Sequence, residues 1–155
     1  MAKEKSAKAV KSKEVKKNVP AHPVERYVEA VGRRKTAVAR VRLFPAGREK
    51  GVHITVNERE LSRYFPLRKL QEVARAPFGA VALEDARVSA KVAGGGVSAQ
   101  AEAVRLGLAR ALISVNPEFR SRLKALGYLK RDPRMVERKH PGLRKARRPQ
   151  QWRKR

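Results

Sequence analysis

Two segments of the chain alternate between apolar and polar residues, and this period of two is typical of strands that bury one face. In Thr36–Phe44, one face carries four apolar residues, and Arg40 and Arg42 lie on the other. In Arg87–Val92, three apolar residues again alternate with polar ones. Both segments are therefore predicted to be half-buried strands, and the first has a basic outer face.

Two shorter β-prone segments flank the first of these strands. Tyr27–Val31 precedes it, and Gly32 is expected to end that early strand before the basic residues that follow. Val52–Val56 comes after the turn sequence Pro45–Gly47 and also alternates. The spacing predicts that Thr36–Phe44 and Val52–Val56 pair with each other as a β-hairpin.

The middle of the chain shows a helical period. Asn57 with Glu60 three positions later has the form of a helix start, and this helix would run to Phe65, before Pro66. A second apolar helical face runs from Leu67 to Pro77, and residues 78–83 fit either a helical turn or a strand.

A long helix is predicted over Ser98–Val115, after a loop of three glycines. Its apolar stripe consists of Ala101, Val104, Leu108, Ala111, Leu112 and Val115. Gly107 lies inside this helix, where glycine is tolerated mainly when another backbone comes close. A last short helix starts at Asn116–Glu118 and ends at Gly127. Its predicted buried face is Phe119, Leu123 and Leu126. This order of elements predicts an α/β two-layer sandwich, one sheet with helices on one face.

The charge divides the chain into three parts. The formal net charge is +25 over 155 residues. Residues 1–26 are predicted to be a disordered basic arm, with a weak helix over Glu4–Lys17 as the alternative. Residues 27–127 form the predicted globular domain. Residues 128–155 carry twelve Lys and Arg against two acidic residues and show no helical or strand period, so they are predicted to be an extended basic tail.

A charge of this size needs a compensating anion, and nucleic acid is the first candidate because neutralised phosphates release counterions. An anionic membrane is disfavoured because neither terminal segment has the apolar face of an interfacial helix. No apolar run approaches the length of a spanning helix, and the N-terminal residues lack a signal-like apolar region, so an intracellular, cytoplasmic protein is expected.

The residues offer little for catalysis or for cofactor binding. The chain has no Cys, and its three His residues lack metal-ligand spacing, so no metal, cofactor or small-molecule substrate is expected. Glu84 and Asp85 are the only adjacent acids of the globular part and are expected to occupy a turn. The Gly94–Gly96 loop fits either a tight turn with positive φ or a contact with an RNA backbone, and it lacks a P-loop sequence.

Two basic groups are candidates for RNA contact. Arg33, Arg34 and Lys35 have no neighbouring acids to balance them, and Arg guanidinium groups bind phosphates through two hydrogen bonds. In the tail, Trp152 lies among cations and could stack on a base or remain without an ordered contact.

Several motifs in order resemble the bacterial type of the small-subunit ribosomal protein nine family. They are Gly32–Val41, Val92–Ser98, Leu106–Leu112, Leu126–Asp132, Val136–Lys139, Lys145–Arg148 and Lys154–Arg155. The chain departs from the family at Arg153, where Ser is usual, and in its N-terminal extension.

The resemblance implies a four-stranded sheet with helices on one face, like the second domain of ribosomal protein S-five. It also implies a non-enzymatic constituent of the small-subunit head, with rRNA, peptidyl-site tRNA and neighbouring head proteins as partners. Predicted rRNA-binding residues are Arg33, Arg34, Lys35, Arg40, Arg42, Arg131, Arg138, Lys139, Arg144, Lys145, Arg147 and Arg148. Predicted tRNA-binding residues are Arg153, Lys154 and Arg155. A nucleoid-type DNA-binding protein and an RNA-processing enzyme remain as alternatives.

Overall fold

The computed structural model describes residues 26–45, 51–83 and 85–152. Within these ranges the elements follow in this order. They are β1 (Val28–Arg34), β2 (Ala37–Phe44), β3 (Val52–Val56), β4 (Arg59–Glu60), α1 (Leu61–Tyr64), α2 (Arg68–Val81), β5 (Ala86–Ala93), α3 (Val97–Val115) and α4 (Phe119–Ala125). The predicted arm lies almost wholly outside the described residues, and so do Arg153, Lys154 and Arg155.

The two strands that the alternation predicted form the centre of the sheet. Along β2 and β5, every second residue is buried, and the residues between them are exposed or half-buried. The buried face packs against α3, which also contacts β1. One sheet with helices on its buried face confirms the α/β two-layer architecture.

The sheet is mixed and has five strands in the order β1-β2-β5-β3-β4, so the expected count of four was wrong. The extra strand is the two-residue β4, which pairs with the end of β3. The predicted hairpin of β2 with β3 was also wrong, because β5 lies between them and pairs antiparallel with β2 and parallel with β3. Parallel neighbours need a long crossover, and α1 and α2 supply it here.

The turn after β3 replaces the helix start predicted at Asn57. Asn57 and Glu58 both have positive φ, at 46° and 66°, and reverse the chain into β4. The Asn57 side chain donates to the Val92 carbonyl at 3.0 Å and accepts from the Val92 N–H at 2.8 Å. Asn tolerates the left-handed region and bonds backbone groups, which explains why the residue occupies a turn here.

Helix α2 continues through Pro77 to Val81, beyond the helical face predicted up to Pro77, and so resolves the choice left open for the residues that follow. A proline inside a helix removes one hydrogen bond and clashes with the preceding turn, at a cost of about 3 kcal/mol. Pro77, Phe78 and Val81 are all buried, and their burial offsets that cost. Residues 78–81 are therefore helical, and Ala82, at φ 54°, ends the helix.

Close packing of β1 on α3 depends on two glycines. A Cβ on Gly32 would lie 1.9 Å from the carbonyl oxygen of Ala103, and a Cβ on Gly107 would lie 3.1 Å from the backbone nitrogen of Gly32. The predicted reason for Gly107 is therefore confirmed. Gly32 was expected to end β1, and this prediction was wrong. Gly32 lies inside the strand, where only a residue without a side chain fits against α3.

Helix α3 is buried over most of its surface because it contacts β1 and β2 of the sheet and also the helices α2 and α4. Five residues of the predicted stripe are buried, whereas Val115 at the helix end is 38% exposed. In α4, Leu123 is fully buried, and Leu126, just beyond the helix, is 54% exposed rather than buried.

Candidate nucleic-acid interface

The turn between β1 and β2 separates the three cations predicted to act together. Side chains alternate along a strand, so Arg33 and Arg34 leave β1 on opposite faces. Arg33 is exposed, Lys35 is exposed in the turn with φ 49°, and Arg34 is directed to the helical side. The structure thus leaves two of the three cations accessible to an external anion.

Arg34 is bound within the protein, and its side chain is only 12% exposed. Its Nε donates to Glu102 Oε2 on α3 at 2.6 Å, and its Nη2 lies 3.1 Å from Asp132 Oδ2. Its Nη1 donates to the carbonyl oxygens of Asp132 and Arg134. Arg34 therefore joins β1, α3 and the beginning of the tail.

The sheet surface away from the helices, here called the outer face, carries the predicted residues Arg40 and Arg42. Both share one carboxylate: Arg40 donates to Glu29 Oε1 from Nε at 3.0 Å and from Nη2 at 2.7 Å, and Arg42 Nε donates to Glu29 Oε2 at 3.0 Å. The hydrogen bonds from Arg40, and then from Arg42, lower the pKa of Glu29, and the bond to Glu29 raises the pKa of Arg42. Two guanidinium groups and one carboxylate leave one net positive charge, and Lys91, directly opposite Arg40, adds another.

The outer face also holds aromatic rings that the sequence pattern did not single out. Tyr27 and Phe44 have ring centroids 5.6 Å apart. The Arg42 guanidinium lies 4.9 Å from the Tyr27 ring centroid, and that of Arg87 lies 5.7 Å from the Phe44 centroid. Such stacking restricts long side chains and keeps their charges on this surface. The sequence did contain a sign of this arrangement: Tyr27 is two residues from Glu29 and Phe44 is two residues from Arg42, so each ring is expected on the same face of the sheet as the charged residue.

The C-terminal end of α4 fixes the start of the tail. Gly127 has φ 72°, its N–H donates to the Lys124 carbonyl at 3.0 Å, and the Tyr128 N–H donates to the Leu123 carbonyl at 3.0 Å. This pair of bonds is a Schellman motif, which reverses the chain and satisfies the terminal carbonyls. Tyr128 and Leu129 then pack on the core.

Residues 128–134, here called the tail root, run back along the domain to the β1–β2 turn. The Arg105 guanidinium lies 5.3 Å from the Tyr128 ring centroid, and Arg131 Nη2 donates to the Lys35 carbonyl at 3.5 Å. Side-chain and backbone hydrogen bonds with Arg134, together with its charge and that of Arg34, hold the pKa of Asp132 at about 2, so this carboxylate is ionised and engaged. Because Arg131 contacts the β1–β2 turn, this predicted residue lies beside Arg33 and Lys35.

The described part of the tail after the root has no helix or strand. Glu137 accepts from Arg147 Nε at 2.8 Å and lies 3.5 Å from His140 Nε2, which closes a loop in the tail. The other predicted cations of this segment are exposed and have no carboxylate partner among the described residues: Arg138, Lys139, Arg144, Lys145 and Arg148. Trp152 is 87% exposed.

The glycine loop before α3 serves the turn. Gly94 and Gly95 have φ of 72° and 64°, and a Cβ on Gly94 would lie 2.6 Å from the carbonyl oxygen of Thr36. Both positive φ and this close approach require glycine. The predicted contact of this loop with an RNA backbone stays a prediction.

Other chemistry is sparse in the described ranges. Asp85 accepts a 2.7 Å bond from the Gly51 N–H, whereas Glu84 lies outside the described residues, so the turn expected for this pair stays a prediction. Residues 26–45, 51–83 and 85–152 contain no group of three or more His or acidic side chains that could hold a metal ion. None of the helices described is long and apolar enough to cross a membrane.

A family model described as "Ribosomal protein S9/S16" matches residues 32–155. A curated relative named "Small ribosomal subunit protein uS9", from Lawsonia intracellularis (strain PHE/MN1-00), is 52% identical over 127 residues, covering 81% of this chain and 95% of the relative. The match covers the β1–β2 turn, α3 and the tail, which carry many of the cations described above. This chain therefore belongs to the ribosomal protein S9 family, a family of structural proteins of the small ribosomal subunit and not of enzymes.

Proposed function

We propose that this chain binds small-subunit rRNA in the head of the subunit and that its tail extends to the peptidyl-site tRNA. Family membership makes it a component of the small subunit, and the basic surfaces that it exposes support the proposed partners. The observation that carries the proposal is the convergence of Arg33, Lys35 and Arg131 at one edge of the domain. A ribosomal role also implies a cytoplasmic location.

Contacts with rRNA should be mainly to phosphates and to the shape of the RNA. In the described part of the tail, Arg134 is paired with Asp132 and Arg147 with Glu137, and the other exposed cations have no carboxylate partner. Ordering a tail of this kind costs about 1–2 kcal/mol per residue in backbone entropy, which many charge-assisted contacts with RNA can offset. We therefore expect the tail beyond the root to be disordered in the free protein and ordered on the ribosome.

A binding assay separates this function from the nucleoid-type alternative. The full chain is titrated with a transcript of the rRNA head domain and with duplex DNA of equal length, at matched salt. Preference for the transcript that persists as salt is raised supports the proposal. Equal affinities would leave only general polyanion binding.

The tRNA contact has its own test. Lys154 and Arg155 are the last two residues, and deleting them should weaken peptidyl-site tRNA binding while subunits still assemble. The matched control replaces Arg138 and Lys139 by Gln, which removes the same charge from the middle of the tail. Unchanged tRNA affinity after the deletion, or an equal loss in the control, contradicts a specific contact at the tail end.

A further inference from the structure

A cleft lies between α3 and the tail root, and two of the cations that line it, Arg105 and Lys130, are not among the predicted rRNA-binding residues. It is lined by Glu102 and Arg105 of α3 and by Tyr128, Lys130, Arg131 and Asp132 of the tail root. Arg33 lines its end near the β1–β2 turn. The Schellman motif turns the chain back after α4 and brings Tyr128 of the tail root against Arg105 of α3.

The two carboxylates of the cleft are already engaged by protein cations. Glu102 binds Arg34, and Asp132 binds both Arg34 and Arg134. In the part of the chain that the structure describes, Arg33, Arg105, Lys130 and Arg131 have no carboxylate partner. These four cations therefore give the cleft a positive charge that the protein itself leaves without a counterion.

Two of these cations are also held in place. Arg105 lies over the Tyr128 ring, Tyr128 is fixed by the helix cap and by packing on the core, and Arg131 donates to the Lys35 carbonyl. Ordering a free Arg or Lys side chain on binding costs about 0.5–1.5 kcal/mol, so side chains already held by the fold lose less entropy when they bind an anion.

We propose that the tail-root cleft binds the phosphodiester backbone of RNA, with Arg105 and Lys130 as its central phosphate ligands. This inference rests on the proposed rRNA-binding function and specifies one of its contact sites. Four cations that line one cleft can neutralise several phosphates of one strand, whereas a free phosphate ion would engage only one or two of them. Arg105 reaches a phosphate from α3 and Lys130 from the tail root, so the bound strand would bridge the domain and the tail.

The test compares two variants of the full chain that lose the same charge. The cleft variant carries Arg105→Gln and Lys130→Gln, and the control carries Arg120→Gln and Lys124→Gln, two exposed residues of α4. Affinity for the rRNA head-domain transcript is measured over a range of salt concentrations. For the cleft variant we expect at least about a tenfold loss and a salt slope smaller by about 1.4–1.8, since each phosphate contact contributes about 0.7–0.9. The control should keep a slope close to that of the unmodified chain.

A second measurement guards against misfolding in the Arg105 variant. Acetylation of Lys130 and Lys124 is followed in the unmodified chain, free and bound to the transcript. Protection of Lys130 alone supports the site, and a single Lys130→Gln variant should lower the salt slope by about half as much as the double variant. Equal slopes in the two double variants, or equal protection of the two lysines, overturn the cleft while rRNA binding stands. Failure of the unmodified chain to prefer the transcript over duplex DNA refutes the proposed function instead.

Discussion

Replacing Arg34 by Ala should destabilise the domain and free the tail root. The side chain is 12% exposed and bonds a carboxylate on α3 and two carbonyl oxygens of the tail. Its neighbour Arg33 is exposed and has no such partners in the described structure. Arg33→Ala is therefore a matched control, because it removes the same charge one residue away.

The magnitude follows from the Arg34–Glu102 pair, which joins Nε and Oε2 at 2.6 Å. Breaking a buried ion pair by removing one partner costs about 3–5 kcal/mol. The Glu102 side chain is 31% exposed, so water partly replaces the lost bond, and we expect a loss of about 2–3 kcal/mol. For a domain of this size that lowers Tm by roughly 10 °C. Arg33→Ala should change the free energy of unfolding by less than about 0.5 kcal/mol.

Thermal unfolding gives the overall effect, and amide exchange locates it. The Arg134 N–H, which donates to Asp132 Oδ1 at 2.9 Å, should lose protection in Arg34→Ala and keep it in Arg33→Ala. Arg34→Lys should recover little, because an ammonium group lacks the planar fork that reaches several acceptors at once. A double-mutant cycle with Glu102→Gln tests the pair itself. Equal Tm values for the two Ala variants, or a coupling energy near zero, would refute this reasoning.

Three further variants have equally direct readouts. Gly32→Ala should destabilise the domain by about 1–3 kcal/mol through overpacking against α3. Gly79→Ala has open space around its Cβ in α2 and should stabilise the domain by about 0.5–1 kcal/mol. Chemical denaturation measures both changes. The Asp132 carboxyl should titrate by NMR near pH 2. Its pKa is depressed, so its contribution to stability is present above about pH 4 and is lost as the pH falls through about 2. Arg134→Ala should raise the pKa of Asp132, and an unchanged pKa would contradict the assigned cause. Glu29→Gln should tighten rRNA binding and steepen its salt dependence, because it frees Arg40 and Arg42. The control Glu118→Gln, just before α4, should not have this effect. Equal effects of the two variants would exclude the outer face from binding.

Periodicity predicted those elements whose two faces differ in environment. The alternation of β2 and β5 reflects one face against helices and one face open to solvent. The end of α4 was predictable because Gly127 adopts a positive φ that few other residues accept. Such local signals need no knowledge of distant parts of the chain.

The order of strands was not predictable from the same signals. Strand β3 has the alternation of a hairpin partner for β2, and a pattern within one strand does not state which neighbour it pairs with. The crossover through α1 and α2 decides the pairing. The helical face was predicted only up to Pro77, so the full length of that crossover was not evident from the sequence.

The candidate site shows the same limit at the scale of single residues. Arg33 and Arg34 are adjacent cations in the sequence, and only the continuation of β1 through Gly32 assigns them to opposite faces. Gly32 was interpreted as a break because its partner, the α3 backbone near Gly107, is 75 residues away. The tail root depends likewise on Arg34, which contacts residues 98 and 100 positions later.

The geometry of the tail root determines where the rest of the tail can go. Beyond Arg134 the chain has 21 residues, and an extended chain of this length spans up to roughly 70 Å. A tail attached by a flexible joint would sample every direction at that radius, and the entropy lost on binding would be correspondingly large. Arg34, the Schellman motif and the packed Tyr128 instead fix the first residues against the domain that carries Arg33 and Lys35. RNA bound at this edge, as proposed, would therefore be close to the start of the tail, and each tail cation that bound next would be held near its phosphate by the contact before it.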